Sequence, residues 1–279
     1  MDKEIDSSEV FFYLLAAKFF YSIFAFLSAV GVLCNSILLF TTIRSKSLRA
    51  PCNILIGSCA LFDVIHQFLP EMGVAAGSFA VLSIGIDRFL SISMPNYYRR
   101  MNVSAYLSIQ YLAITLFCVY NAFLIFYFYR DHDVICNMPS VFHDNAVSLW
   151  AYSSAAVNVV AFGVYVLTWR LIKAQSENLE VEKMSRIFRT IVLVTIFDLS
   201  GWATTQTLVA TQNFIDLSDH KRLCYVCFAS IFVNLGIAVK FLVYYFTSTE
   251  YKNAVNRRFN MKDSKVSQSG QYHQSNSRI

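Results

Sequence analysis

Charge is what this chain has least of. Asp, Glu, Lys and Arg together make up 15% of 279 residues, where a soluble domain carries about a quarter. Helix breakers are scarce too, with 4 Pro and 9 Gly, which excludes collagen-like and Gly/Pro-rich low-complexity chains. Catalytic patterns are missing. No nucleophile–base pair, Gly-rich phosphate loop or metal-spaced carboxylate set stands out, so nothing points to an enzyme, a cofactor or a metal centre. The first nine residues, MDKEIDSSE, are acidic rather than basic. The apolar stretch behind them is too long for a cleavable signal, and is read as a first span that also directs insertion.

Hydrophobic residues make up 56% of the chain and aromatic ones 16%. They form seven runs, at roughly 10–42, 51–69, 72–93, 104–129, 148–172, 187–211 and 223–247. A span of about 20 apolar residues crosses the hydrocarbon core. In lipid the backbone must satisfy its own hydrogen bonds, so each run is expected to be a helix. A soluble bundle is excluded, because its helices would need polar faces. The fold class expected is an all-α membrane protein, a seven-transmembrane helix bundle.

Charge between the runs sets the orientation. Arg44, Lys46 and Arg49 lie in one gap, Arg99 and Arg100 in another, and Arg170, Lys173, Lys183, Arg186 and Arg189 in a third. The tail adds Lys252, Arg257, Arg258, Lys262, Lys265 and Arg278, whereas the other side holds only Lys3, Arg130, Lys221 and Arg222. The positive-inside rule puts the N-terminus outside and the C-terminus inside. The net charge of +5 then reflects topology and anionic lipid rather than nucleic acid. The chain divides into an extracellular 1–9, a seven-span domain 10–250 and a cytoplasmic tail 251–279, polar and mostly disordered from residue 263.

Four motifs in order give the chain a relationship. The first span carries Gly31-Val32-Leu33-Cys34-Asn35, and the second Leu61-Phe62-Asp63. The third ends Gly85-Ile86-Asp87-Arg88, and the last ends Tyr244-Tyr245-Phe246-Thr247-Ser248-Thr249-Glu250-Tyr251. Over residues 10 to about 255 this order resembles rhodopsin-like G-protein-coupled receptors, and within them the nematode serpentine chemoreceptors of the Srsx class. The resemblance implies a chemosensory receptor at the plasma membrane, in a sensory neuron. It would pass an unidentified extracellular ligand's signal to a heterotrimeric G protein. It makes Asp87 the resting partner of Arg88, with Arg88 freed toward the G protein on activation. Tyr244 becomes a switch residue, and a short amphipathic helix is expected after it. Asn35 becomes the neighbour of Asp63.

Plainer readings stand beside these. Arg88 could snorkel to lipid headgroups. Asp63 lies mid-membrane, where a charge needs an ion, a proton or a basic partner; a protonated Asp in a polar network would also serve. Trp202 is either the floor of a ligand pocket or ordinary packing. The loop around His132 and His143 reads as a solvated acidic segment before it reads as a metal site. The sequon Asn102-Val103-Ser104 would face the cytoplasm unused.

The chain departs from the family twice. Lys240-Phe241 stands where relatives carry Asn-Pro before the Tyr, which predicts a straighter last span. Lys240 is expected to pair with Asp63 in place of a sodium ion, or else to snorkel. The second departure is spacing. Asn35 to Asp63 is 28 residues, as the family would have it, but Asp63 to Arg88 is 25, and the resemblance calls for roughly twice that. A single helix through this region would run about 60 Å, too long for one crossing, so two spans joined by a tight Pro/Gly turn near residue 70 are expected. The bundle would thus be shortened around spans two and three. The family's outer staple loses its usual Cys on the third span. Cys136 remains in the outer loop, and Cys224 is the one substitute. Two other functions stay open: a transporter or channel subunit built on the Asp63/Lys240 pair, and a shortened receptor isoform that does not signal.

Overall fold

The computed structural model describes residues 7–130, 141–174, 179–211, 215 and 217–259. Among these the chain is helical, with no strands. Nine α-helices follow one another among the described residues: α1 Ser7–Arg44, α2 Pro51–His66, α3 Pro70–Ser93, α4 Pro95–Arg100, α5 Val103–Tyr127, α6 Asn145–Ala174, α7 Leu179–Thr211, α8 Asp219–Thr247 and α9 Thr249–Arg258. Within the described residues, α1, α3, α5, α6 and α8 contain windows long and apolar enough to cross a membrane. The helix α2 is apolar but only 16 residues long, about 24 Å at the usual rise. The helix α7 has 33 residues, and its first turns, LEVEKMSRIFR, carry the charge. These seven make the bundle. The large apolar side chains left exposed, Phe11, Phe19, Phe26, Ile109, Leu116, Phe126 and Phe162 among them, suit a lipid environment rather than water.

Several ends differ from the sequence reading, and each has a local cause. The helix α1 runs to Arg44, two residues past the predicted stop, and α7 begins eight residues before the predicted 187. Charged residues that end a hydropathy run do not end a helix, because Glu, Lys and Arg are good helix formers. The helix α4 was not anticipated. It is a six-residue helix with Pro95 at its first position, where the missing N–H would be unpaired anyway. Asn102 caps α5, its side-chain oxygen accepting from Ser104 N at 3.0 Å and Ala105 N at 3.2 Å. The tail boundary expected at 250 falls inside α9, whose N-cap is Ser248.

The α2–α3 hairpin is the feature that shortens the bundle. Its turn is only Gln67, Phe68 and Leu69. Pro70 and Gly73 are not in that turn, as the sequence suggested, but in the first turn of α3. Pro70 starts the helix, and Gly73 permits its close approach: a Cβ there would lie 2.3 Å from His66 Cα and N. The His66 ring closes the corner, with Nδ1 3.0 Å from the Pro70 carbonyl oxygen.

Small residues set the other close crossings. A Cβ on Gly201 of α7 would meet Phe232 O at 2.7 Å, and one on Gly236 of α8 would meet Phe197 O at 3.1 Å. The two glycines thus let each backbone sit against the other, the small-residue packing that membrane helices use in place of a hydrophobic drive. Between α3 and α6, Tyr165 packs over Gly85 and donates to Val81 O at 3.0 Å. The core runs through Leu38, Leu55, Ile56, Ala80, Ile84, Phe188, Ile191 and Tyr244.

Candidate functional site

Three charges meet inside the bundle. Lys240 of α8 is 4% exposed. Its Nζ donates to Asp63 Oδ1 on α2 at 2.9 Å and stands 3.1 Å from Asp198 Oδ1 on α7. Asp63 and Asp198 are themselves buried. The geometry is a clasp: one ammonium joins three spans. A buried charge is tolerated when it is paired and hydrogen-bonded, and is strongly destabilising when its partner is removed. The long, flexible lysine stem lets one group reach two carboxyls on different helices. The family's Asn at this position has no charge to offer them.

Asn35 of α1 lies fully buried beside the clasp. Its amide donates to Gly31 O at 3.1 Å and to Ile237 O at 3.2 Å, which joins α1 to α8 just where α8 presents Lys240. A cavity of about 10 Å³ is lined by Asn35, Asp63, Lys240, Tyr165 and Tyr244. That is room for a single water. Two acceptors near it, Asn35 Oδ1 and Asp63 Oδ2, have no partner, so a water with two O–H groups is the molecule that fits. Tyr244 is buried below, its ring 5.2 Å from that of Tyr251 on α9. Tyr251 OH lies 3.2 Å from Thr42 Oγ1, and Arg258 lies over the Phe40 ring at 4.9 Å. These contacts dock α9 on the end of α1.

A second charged group closes the far end of α3. Arg88 Nε donates to Asp87 Oδ2 at 2.9 Å, and Nη2 bonds the same oxygen. Asp87 is fully buried, and its other oxygen accepts from Tyr98 OH on α4 at 2.8 Å. The carboxylate is thus held from both sides. Burial first, then the Asp87 charge, pushes the Tyr98 phenol well above its usual pKa, so it stays a proton donor. Arg88 is not turned out to headgroups; its guanidinium is buried with its neighbour.

Trp202 on α7 is half-buried and meets the His66 ring edge-on at 5.9 Å. Nearby, Asn234 Oδ1 accepts from Gln67 Nε2 at 3.1 Å and from Ser28 Oγ at 3.1 Å. Cys224 carries a free thiol in the described structure. Its candidate partner Cys136, like His132, lies outside the described residues. No metal-binding group of His, Cys, Asp and Glu occurs among the described residues.

Sequence reading missed Asp198, Tyr98 and Tyr251. Asp198 had a legible signal: an acid inside an apolar run, one helical turn before Trp202. An ionisable residue within a span is a functional candidate by default. Tyr98 and Tyr251 had none, because aromatic residues are common at membrane ends.

A family model described as "Serpentine type 7TM GPCR chemoreceptor Srsx" matches residues 28–71 and 67–259. The chain belongs to this family. The two matched segments meet at 67–71, which is the α2–α3 hairpin, where the spacing departs from the family pattern. The fold agrees with the relationship. The receptor superposes on squid rhodopsin with a TM-score of 0.67, covering 88% of this chain and 86% of that one at 16% sequence identity. At that identity the likeness speaks for the seven-helix bundle. A search of curated proteins found no match. The receptor is therefore a membrane protein of a G-protein-coupled chemoreceptor family, and that family is one of receptors rather than enzymes.

Proposed function

We propose that this receptor carries the signal of an extracellular chemical to a heterotrimeric G protein at the plasma membrane of a sensory neuron. Its N-terminus lies outside and its C-terminus in the cytoplasm, as the basic gaps require. The observation that carries the reading is the Asp87–Arg88–Tyr98 group. It holds an always-charged guanidinium at the cytoplasmic end of α3 in a closed arrangement. A ligand that binds an open arrangement better shifts the population toward it. Release of Arg88 then offers a planar fork of donors to the G protein. The Lys240 clasp, with Asn35 beside it, holds α2, α7 and α8 together in the resting bundle, and Tyr244 passes its state to the docked α9. Trp202 meets the His66 ring at the α2–α3 corner, where a ligand in the pocket above would bear on it.

The test is nucleotide exchange on purified G proteins with receptor in nanodiscs, across a panel of odorants. Ligand-evoked exchange that Arg88→Ala abolishes supports the reading. Exchange that survives Arg88→Ala removes Arg88 from the coupling site.

A second reading is carried by the three-residue α2–α3 turn. It describes a shortened receptor that reaches the membrane poorly and does not signal. Tags at both ends, stained before and after permeabilisation, separate the two. An N-terminal tag reached from outside supports the signalling receptor. Two tags seen only after permeabilisation support the retained one.

A further inference from the structure

The turn between α2 and α3 has the chemistry of a surface that meets lipid. Its two apex side chains are large, apolar and turned out: Phe68 is 73% exposed and Leu69 60%. A turn in water ordinarily carries Gly, Asn, Asp or Ser. Every backbone N–H of the turn is bonded within the hairpin. Gln67 N donates to Val64 O at 3.1 Å, and Phe68 N and Leu69 N donate to Ile65 O at 3.0 Å and 2.7 Å. Pro70 follows with no N–H to satisfy. The one polar side chain of the turn, Gln67, gives its amide to the buried Asn234 of α8.

Three lengths set the depth of this turn. The helix α2 has 16 residues, about 24 Å, whereas a hydrocarbon core is about 30 Å thick. The helix α1 holds two cations, Lys18 and Arg44. Lys18 is exposed in an otherwise apolar stretch, where a lysine extends to the headgroups. The two cations stand about 39 Å apart along the helix, close to the roughly 40–45 Å of a bilayer with its headgroup layers. Asn234, which holds Gln67, also holds Ser28 of α1. Ser28 lies ten residues from Lys18, so the turn is about 15 Å below the headgroup level that Lys18 marks. On the opposite wall the Cys118 thiol of α5 reaches the Met72 carbonyl oxygen at 4.0 Å. Past that level α5 continues nine residues to Tyr127, about 13 Å. At such depth backbone groups need partners inside the protein, and the donors of this turn have them.

We propose that the α2–α3 hairpin is re-entrant: its tip, Phe68 and Leu69, ends inside the leaflet opposite Arg88, and lipid acyl chains of that leaflet pack over it. The hairpin enters and leaves on the Arg88 side, so both chain ends stay on the sides assigned above. That the leaflet is the outer one rests on that orientation; the depth of the tip does not.

The test uses the full-length receptor in nanodiscs of phosphatidylcholine with an alkyne-tagged chain. The probe is p-benzoylphenylalanine, which on illumination bonds to neighbouring C–H groups and not to water. It replaces Phe68, or Phe26 on the exposed face of α1, or Glu9 beyond Lys18. Lipid adduct at Phe68 is expected within about twofold of that at Phe26 and at least tenfold above that at Glu9. Adduct at Phe68 no greater than at Glu9 would mean that water fills the space over the tip, and would overturn the proposal. A charge in hydrocarbon is costly, so Phe68→Asp is expected to lower surface receptor at least tenfold while Phe68→Leu leaves it unchanged. Phe68→Asp at the wild-type surface level would overturn the proposal as well. Nucleotide exchange reads G-protein coupling separately from either result.

Discussion

Lys240 and Asp198 are 3.1 Å apart, and this contact joins α8 to α7 through charge while the same ammonium bonds Asp63 on α2. One cation facing two carboxyls makes the three residues unequal. Removing Lys240 leaves two buried acids with no counter-charge, whereas removing Asp198 still leaves Lys240 its bond to Asp63. Lys240→Met is expected to lower receptor stability by about 3–5 kcal/mol, the usual result of breaking a buried pair. Asp198→Asn should cost clearly less and raise basal nucleotide exchange, because α7 is released while α2 and α8 stay joined. Thermal unfolding of each variant in nanodiscs, with basal exchange measured alongside, checks both. Equal stability of Lys240→Met and wild type would remove the clasp as a structural element.

Tyr98→Phe deletes one of the donors that hold Asp87. The group is half-buried, so the loss is about 1.5 kcal/mol, the lower end for a hydrogen bond to a charged group. Arg88 then keeps Asp87 but with less to hold the pair closed. Basal exchange should rise a few-fold at unchanged surface level. A variant indistinguishable from wild type would show that α4 takes no part in the resting state.

Gly73 and Gly163 should respond oppositely to alanine. At Gly73 the added Cβ would lie 2.3 Å from the His66 backbone, and neither chain segment can yield without opening the hairpin. Gly73→Ala is expected to remove most folded receptor from the surface. At Gly163 nothing lies within 4 Å of the added Cβ, and alanine favours a helix interior over glycine by about 0.5–1 kcal/mol. Gly163→Ala should fold as well as wild type or better. Surface staining of the two variants side by side is the measurement.

Gly201→Ala tests the α7–α8 crossing. Its Cβ would approach Phe232 O at 2.7 Å, so the two helices must part by a few tenths of an ångström. They carry Asp198 one turn and Lys240 about two turns from this contact, and the charge contact should loosen with them. The variant is expected to be less stable and to resemble Asp198→Asn in raised basal exchange. Unchanged unfolding would mean that the crossing tolerates a methyl group and the glycine is dispensable.

How far sequence reading reached depended on the kind of signal. Asp63 and Lys240 were visible as charges in apolar runs, and Asp87-Arg88 as a pair at the end of one. The site roles of Trp202, Cys136 and Cys224 rested on resemblance, and for Cys136 the described structure offers nothing. The ends of α1 and α7 were misjudged because hydropathy marks where the chain leaves lipid, not where the backbone stops hydrogen-bonding to itself. Asp198 was passed over although it obeyed the same rule as Asp63.

Composition and the order of apolar runs by themselves determined that this is a helical membrane protein of seven spans, because lipid leaves an apolar backbone no other way to satisfy its hydrogen bonds. Sequence motifs also determined the family. What only the tertiary structure decided is which charges meet. Asp63, Asp198 and Lys240 stand on three helices far apart in sequence, and helix rotation, set by small-residue contacts such as Gly201 and Gly236, aims them at one another.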